Sequence, residues 1–173
     1  MILLSNNLHG KMPLPKDAVI RINSAWVTSV EELEEIVKLN EKSEIFLDFP
    51  SGRTKPPKPV ITLMELIMVA TKYENIRYFA VSNAEDKEFL AHIRRMLPDY
   101  TELVPKIETI SGVRKIEQII EASKCRKVML DKEDLYLNCG TDAELYEDNM
   151  EALKVLCRDN NVHVLQLCGV VFE

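Results

Sequence analysis

Short apolar segments alternate with helical patterns along most of the chain, and this alternation constrains the fold more than any other feature. The segments are AVIRIN (18–23), EIFLDF (44–49), IRYFAV (76–81), ELVPKI (102–107), RKVMLD (126–131) and VHVLQL (162–167). Their starts recur every 24 to 36 residues, which is typical of repeated strand–helix units. Right-handed crossovers then predict a parallel α/β sheet, either doubly wound or closed toward a barrel.

Four hydroxyl residues, each followed three positions later by a Glu, predict where helices begin. In this capping-box spacing the hydroxyl and the carboxylate each accept a hydrogen bond from the other residue's backbone N–H. The pairs are Ser29/Glu32, Thr62/Glu65, Ser82/Glu85 and Thr141/Glu144. Apolar residues at helical spacing follow and predict the buried faces. Examples are Leu33, Ile36 and Val37 in the first helix and Phe89, Ile93 and Leu97 in the third.

Length and charge restrict the class of protein. With 173 residues, 46% of them apolar, the chain fits one domain over residues 1–173. The net charge is −6 and basic residues do not cluster, so nucleic-acid binding is not expected. No apolar segment reaches the roughly 20 residues that cross a bilayer, and the start MILLSNNLHGK lacks a signal-peptide pattern. We therefore expect a cytoplasmic protein that binds neither nucleic acid nor membrane.

Several common site motifs are absent from the sequence. The four cysteines stand far apart without a C-x-x-C pair, so neither a disulfide framework nor a structural zinc site is indicated. The three histidines are also far apart, which disfavours a histidine metal site. There is no G-x-G-x-x-G, Walker or G-x-S-x-G motif, so nucleotide binding by those routes and α/β-hydrolase chemistry lack support.

Polar and charged side chains collect at the predicted carboxyl ends of the strands, which share one rim in a parallel sheet. α/β proteins build their sites at this rim. Carboxylates hold Mg²⁺ through oxygen, and Arg and Lys bind the carboxylate or phosphate of an anionic ligand. The sequence therefore predicts a divalent cation bridged to a small anionic substrate. The rim residues are Arg21, Asn23, Asp48, Arg53, Ser82, Asn83, Lys106, Glu108 and Asp134.

Glu108 and Asp134 are the predicted metal ligands. They are placed at the ends of two successive strands with one amphipathic helix between them, so both carboxylates should point from the same rim. Acids at strand ends can instead cap helices or stay solvated, and Lys106 could extend its ammonium to the surface. Arg21 lies in an apolar strand and needs a partner if it is buried.

The loop PSGRTKPPKP (50–59) contains four prolines and three basic residues directly after a predicted strand. Prolines exclude a regular helix or central strand there. The loop is either a solvated connection or part of a site at the strand ends, with Arg53 as its candidate binding residue.

VPKIETISGVRKIEQIIEAS followed by MLDKEDL resembles the metal-binding core of the phosphoenolpyruvate/pyruvate-binding barrels. This superfamily includes pyruvate kinase, the HpcH/HpaI aldolases and the citrate lyase β-subunit. Its members carry a K-I-E or I-E-T strand end and a D-L pair that closes the next strand. Upstream, AVIRINSAWV resembles an R-x-N strand, FLDFPSGRT resembles the pyruvate kinase strand L-D-x-x-G-P-x-I-R-T, and FAVSNAEDKEF resembles a segment with S-A-E-D. The resemblance covers Ala18 to Leu135.

This resemblance implies a parallel (β/α) barrel and a set of residue roles. Glu108 and Asp134 would hold Mg²⁺ or Mn²⁺. Lys106 and Arg21 would be the catalytic residues. Lys106 would stand where pyruvate kinase keeps its enolate-stabilising lysine, and Arg21 would bind the anionic group of the substrate. Further substrate-binding residues would be Asn23, Asp48, Arg53 and Ser82.

Two of the chain's departures from the family pattern bear on the site and on the fold. Glu133 and Tyr136 replace the glycines around the family's G-D-L-G, which encumbers a close backbone approach to substrate. A full barrel takes about 250 residues, whereas six strands are predicted here, or seven if MILLSN supplies the first. We therefore expect an incomplete barrel whose gap is closed by a homodimer or higher homo-oligomer.

The sequence favours a Mg-dependent enzyme that acts on a pyruvate-like or 2-oxo acid through an enolate, most plausibly a carbon–carbon lyase or aldolase. One alternative is a catalytically degenerate pyruvate kinase-like subunit with a binding or regulatory role. A further alternative is phosphoryl transfer from phosphoenolpyruvate.

Overall fold

The computed structural model describes residues 2–5 and 18–166. Within them lie seven strands: β1 (Ile2–Ser5), β2 (Ala18–Asn23), β3 (Glu44–Phe49), β4 (Ile76–Val81), β5 (Glu102–Ile107), β6 (Lys127–Leu130) and β7 (His163–Gln166). The α-helices are α1 (Val30–Leu39), α2 (Leu63–Lys72), α3 (Lys87–Met96), α4 (Ile110–Arg114), α5 (Ile116–Ser123), α6 (Lys132–Asn138) and α7 (Ala143–Asp159). Among the described helices, none has the length and apolar character needed to cross a membrane.

The predicted strands are all present. The bounds of β2 to β5 agree with the apolar segments to the residue, and MILLSN does contain the first strand. Strand β6 is one residue shorter at each end than predicted, and β7 begins one residue later. The predicted last residue of β7, Leu167, and the strand-like VVFE lie outside the described residues.

Strand order decides between the two predicted topologies. The order in the sheet follows the chain from β1 to β7 without a reversal, whereas a doubly wound sheet reverses at a switch point. β1 pairs with β2 and β2 with β3 in parallel, as do β5 with β6 and β6 with β7. The fold is an incomplete parallel α/β barrel.

The described chain divides into two compact units. The first holds residues up to 80 together with 97–102. Its core is formed by apolar residues of β2, α1, β3, α2 and β4. Strands β2 and β3 are buried in consecutive positions, and the helices contribute apolar residues at helical period. Fully buried members include Ile22, Leu33, Ile45, Phe46, Leu47, Leu66, Ile76 and Phe79.

The second unit holds residues 81–96 and those from 103 onward. Strands β5 and β6 are buried on both faces, so their segments read as continuous apolar runs. The core includes Leu90, Ile93, Leu103, Val104, Ile107, Ile116, Ile119, Val128, Met129, Leu130 and Leu153. Leu90 takes the buried place on α3 that the sequence assigned to Phe89, which is only half-buried.

Two of the four predicted helix starts are found. At α2 the capping box is complete, because Thr62 Oγ1 accepts from Glu65 N and the Glu65 carboxylate accepts from Thr62 N. At α1 Ser29 caps Glu32 N at 3.2 Å, but the Glu32 carboxylate accepts from Thr28 instead.

The other two predicted boxes are wrong, because a nearby aspartate caps each helix. The Asp86 carboxylate accepts from Glu88 N at 2.9 Å at the start of α3, so Ser82 and Glu85 lie before the helix. At α7 the Asp142 carboxylate accepts from Leu145 N at 3.0 Å. Aspartate is at least as good an N-cap as a hydroxyl residue, and the capping-box rule does not weigh the two against each other.

The connection between β5 and β6 differs from the single helix that was predicted. Two helices, α4 and α5, stand where one was predicted, and they meet at Lys115. Asp134 does not end a strand; it lies in the first turn of α6. The residue that directly follows β6 is Asp131.

Candidate metal centre

Strand β5 positions an ion pair at its carboxyl end. Lys106 and Glu108 are two positions apart, so their side chains leave the chain on the same side. The Lys106 Nζ lies 2.7 Å from Glu108 Oε1, and the two side chains are only 6% and 5% exposed. The ammonium also donates to Ser82 Oγ at 3.0 Å. The pair is therefore buried with both charges hydrogen-bonded.

The residues after β4 hold the second oxygen of Glu108. The Asn83 backbone N–H donates to Glu108 Oε2 at 2.9 Å. Asn83 has φ 51, a left-handed conformation that asparagine tolerates better than most residues. The next residue, Ala84, donates its N–H to the Lys106 carbonyl at 3.2 Å. This turn fixes the Glu108 carboxylate by backbone contacts.

Helix α6 brings two more carboxylates to Glu108. Asp131 is its N-cap and accepts from Asp134 N at 3.3 Å. The Asp131 N–H donates to the Ile107 carbonyl at 3.2 Å, which ties the helix start to the residue before Glu108. One oxygen from each of Glu108, Asp131 and Asp134 lies within 4.8 Å of the other two.

The three carboxylates suit a hard divalent cation. Mg²⁺ prefers oxygen ligands at about 2.1 Å, so opposite ligands stand about 4.2 Å apart. Adjacent ligands of the same ion stand about 3 Å apart, and the oxygens of the cluster lie within 4.8 Å of one another. In the described part of the chain this is the one group of three or more acidic, His or Cys side chains so arranged.

The electrostatics of the cluster are unbalanced. Burial raises the pKa of the Glu108 carboxyl above its usual value, and the nearby Asp131 carboxylate adds to this. The Lys106 ammonium and the Asn83 N–H oppose the rise in pKa. With all groups ionised, three carboxylates and one ammonium leave two net negative charges. One divalent cation would neutralise them.

A second layer of contacts anchors the start of α4 beside Glu108. Thr109 caps this helix by accepting from Gly112 N at 3.0 Å and donates its hydroxyl to Glu85. The Ile110 N–H donates to the Asn138 side-chain oxygen at the end of α6, at 2.9 Å. A side chain on Gly112 would meet Thr109 Oγ1 at 3.3 Å, so the close packing favours glycine.

Arg21 and Asp48, predicted substrate-binding residues, lie in the first unit and pair with each other. The Arg21 Nε donates to Asp48 Oδ2 at 3.0 Å, and Nη2 donates to the same oxygen. Asp48 is fully buried and Arg21 is 16% exposed. The partly buried arginine thus has the partner that its apolar surroundings require.

The other predicted residues of the first unit take local roles. Asn23 accepts from Ala25 N at 3.0 Å and caps the short 3-10 helix Ser24–Trp26. Arg53 donates to the carbonyls of Pro57 at 2.9 Å and Pro56 at 3.0 Å within its own proline-rich loop. Substrate binding by Arg21, Asn23, Asp48 and Arg53 stays a prediction.

Glu133 and Tyr136, which replace the family glycines, are both exposed on α6. The Tyr136 hydroxyl donates to the Thr141 carbonyl at 3.0 Å, and the ring packs edge-on against Tyr146 at 5.4 Å. The tyrosine therefore braces the connection from α6 to α7.

Asp131 belongs to the carboxylate cluster but was not predicted as a metal ligand. A signal was present, because Asp131 ended the predicted strand segment RKVMLD and thus stood at the rim by the same argument that selected Glu108. The family resemblance directed attention to the D-L pair three residues later.

Comparisons with known proteins support the fold. No protein-family model matches this sequence, and no curated protein matches it. The structure is similar to those of citrate synthase SbnG (TM-score 0.67, 13% identity), RipC from Yersinia pestis (0.61, 18%) and macrophomate synthase (0.66, 12%). The matches cover 86%, 86% and 84% of this chain and 67%, 68% and 62% of those proteins.

At these identities the similarity establishes the fold alone. The barrel fold that the resemblance implied is confirmed, and the chain spans about two thirds of the length of the solved structures.

Proposed function

We propose that this chain is a divalent-metal-dependent enzyme of the lyase or aldolase kind, acting on a pyruvate-like 2-oxo acid through an enolate. The observation that carries the proposal is the convergence of Glu108, Asp131 and Asp134 beside the buried Lys106. Two solved structures of the same fold are named as synthases, which supports an enzymatic role of this broad kind.

The three carboxylates would hold Mg²⁺ or Mn²⁺. A cation bound there supplies Lewis-acid polarisation of the substrate's keto and carboxylate oxygens. The residues of the chain provide the remaining electrostatics. Lys106 lies beside the ligands and balances negative charge that develops on the substrate oxygen, and burial strengthens that interaction because the local dielectric is low.

Ser82 orients the ammonium of Lys106. Its hydroxyl accepts from Lys106 Nζ at 3.0 Å, and it directly follows β4, whose end is buried. The lysine therefore has a fixed second contact, besides Glu108, from which its charge can act on a ligand. Preorganised charge of this kind stabilises a developing enolate without reorganisation during the reaction.

A metal-free binding or regulatory subunit is the second candidate. The observation that favours it is the set of donors already on Glu108, because Lys106 Nζ and Asn83 N each occupy one of its oxygens. In this case the ammonium would replace the cation permanently. The two candidates differ in whether an anionic ligand needs a metal.

Calorimetry with oxalate, a stable analogue of the pyruvate enolate, separates the two candidates. We expect oxalate to bind in the presence of Mg²⁺ and to lose that binding when EDTA is added. The Glu108→Gln variant should lose it as well, because the amide retains the shape of the side chain but not its charge. Oxalate binding that is equal with and without Mg²⁺ would favour the metal-free subunit.

Enolate formation itself can be followed by the exchange of pyruvate methyl protons in deuterium oxide, with proton NMR as the measurement. We expect exchange with Mg²⁺ and none with Glu108→Gln. Metal-dependent oxalate binding without exchange would contradict enolate chemistry on pyruvate and retain only the binding site.

The expected homo-oligomer stays a prediction. Size-exclusion chromatography with light scattering would test it, and a compact monomer at all concentrations would contradict it.

A further inference from the structure

We propose that Lys106 is a built-in competitor of the metal. In the metal-free centre its ammonium takes the cation's place on Glu108, and binding of a divalent cation displaces it. The freed ammonium then faces the anionic substrate. This inference rests on the proposed function and concerns the same site, but it makes a claim about metal binding that does not depend on turnover.

Both carboxylate oxygens of Glu108 already accept a hydrogen bond. Oε1 accepts from Lys106 Nζ at 2.7 Å and Oε2 accepts from Asn83 N at 2.9 Å. A cation that takes Glu108 as ligand must therefore compete with one of these donors. The Asn83 N–H belongs to a backbone turn that is tied to β5, whereas a lysine side chain has four rotatable bonds. Lys106 is the donor that can move.

The net charge of the cluster favours release of Lys106 when a cation binds. Three carboxylates and one ammonium carry two net negative charges, and a divalent cation reduces this to zero while Lys106 stays nearby. Adding the cation without loosening the lysine would hold two cationic centres on one carboxylate. At close range inside a protein, where the dielectric is low, like charges repel strongly.

Ser82 provides a hydrogen-bond acceptor for the displaced Lys106 ammonium. The Lys106 Nζ already donates to Ser82 Oγ at 3.0 Å. Loss of the contact with Glu108 therefore leaves the buried ammonium with a hydrogen bond, and a free charge is not stranded in the interior.

Displacement implies a binding order. While its charge is neutralised by Glu108, Lys106 has little attraction for an anion. Once the cation takes over Glu108, the ammonium is available to a carboxylate of the substrate. The cation should consequently bind before the 2-oxo acid.

The test is calorimetric titration of Mg²⁺, without any substrate, into wild type, Lys106→Met and Lys132→Met. Lys132 is the matched control, because it is an exposed lysine on the first turn of α6 next to Asp131. Within the described residues it forms no hydrogen bond or ion pair with Glu108. We expect Lys106→Met to bind Mg²⁺ at least about tenfold more tightly than wild type, because a buried like charge is removed. Lys132→Met should change the affinity less than about threefold, because exposed charges are screened.

A second substitution of Lys106 keeps the test valid if Lys106→Met does not fold. Lys106→Gln keeps a side chain that can donate to Glu108 but carries no charge, and the same tightening is expected. Thermal unfolding of each variant shows whether the protein is folded before the titration.

The outcomes separate this inference from the proposed function. Mg²⁺ binding to wild type that is unchanged or weaker in both Lys106 variants overturns the inference and leaves the metal-dependent enzyme intact. Binding only in the Lys106 variants supports the competition and overturns metal dependence of the wild type. Absence of Mg²⁺ binding in wild type and in every variant overturns both the competition by Lys106 and the metal-dependent enzyme.

A crystal structure with Mg²⁺ bound gives the direct geometric readout. We expect the distance from Lys106 Nζ to Glu108 Oε1 to exceed hydrogen-bonding range while the contact with Ser82 persists. A bound cation together with a retained contact of 2.7 Å between Lys106 Nζ and Glu108 Oε1 would overturn displacement.

Discussion

Two buried cation–carboxylate pairs lie at strand ends, one in each unit, and they differ in charge balance. In the first unit Arg21 donates to Asp48 through two guanidinium nitrogens, and both go to the same carboxylate oxygen. In the second unit Lys106 pairs with Glu108, and one oxygen each of Asp131 and Asp134 lies within 4.8 Å of a Glu108 oxygen. The first group sets one carboxylate against one guanidinium, whereas the second sets three carboxylates against one ammonium. Burial alone therefore does not mark a metal site; the gathering of several carboxylates at one place does.

The first pair should therefore be needed for stability. In Asp48→Asn the Arg21 charge would lose its anionic partner while 84% of its side chain is buried. Removing one partner of a buried pair costs about 3 kcal/mol or more of unfolding free energy. Urea denaturation measures the loss, and Mg²⁺ affinity is measured on the folded fraction of the same preparation. A stable Asp48→Asn protein that has lost Mg²⁺ binding would reverse the roles assigned to the two pairs.

Asp131 should show the opposite pattern. Asparagine caps a helix as well as aspartate does, so Asp131→Asn keeps the start of α6 and relieves repulsion with Glu108. We expect little change in the unfolding free energy and a loss of Mg²⁺ affinity of about tenfold, equivalent to about 1.4 kcal/mol. Calorimetry and urea denaturation on the same preparation test both halves. Unchanged Mg²⁺ affinity would show that Asp131 serves only as the helix cap.

The pH dependence of the second cluster follows from Glu108. Burial raises the pKa of this carboxyl above its unfolded-state value, so its ionisation costs stability as the pH rises through the folded pKa. Mg²⁺ binds only the carboxylate form and offsets that cost. The rise in melting temperature caused by Mg²⁺ should therefore grow as the pH increases through the folded pKa and level off above it.

The matching measurement is thermal unfolding with and without Mg²⁺ over a series of pH values, with Glu108→Gln as the control that should show no such growth. An effect of Mg²⁺ that is largest at low pH would contradict the assignment of Glu108 as the proton-competing ligand.

The strands were predictable because each one is a compact apolar segment bounded by polar residues. Their order was not, since the repeat of strand and helix permits either a doubly wound sheet or a barrel. Helix starts were predictable only where a hydroxyl residue had no competing aspartate. Asp86 and Asp142 capped their helices in place of Ser82 and Thr141, and a spacing rule cannot express that competition.

The candidate site was predictable in part for the same physical reason. The position of Glu108 after an apolar strand follows from the pattern, and so does the presence of Lys106 on the same side. The geometry of Asp131 and Asp134 depends on how the first turn of α6 is capped, which is decided by local hydrogen bonds. The ion pair between Lys106 and Glu108 depends on which way a long side chain turns, and no sequence period reports that.

Anomalous diffraction from a crystal grown with Mn²⁺ tests directly whether Glu108, Asp131 and Asp134 hold one divalent cation. We expect one strong peak within coordination distance of an oxygen from each of the three carboxylates, and its loss in Glu108→Gln. A difference map without a peak among these oxygens at saturating Mn²⁺, or a peak that persists in Glu108→Gln, would contradict it.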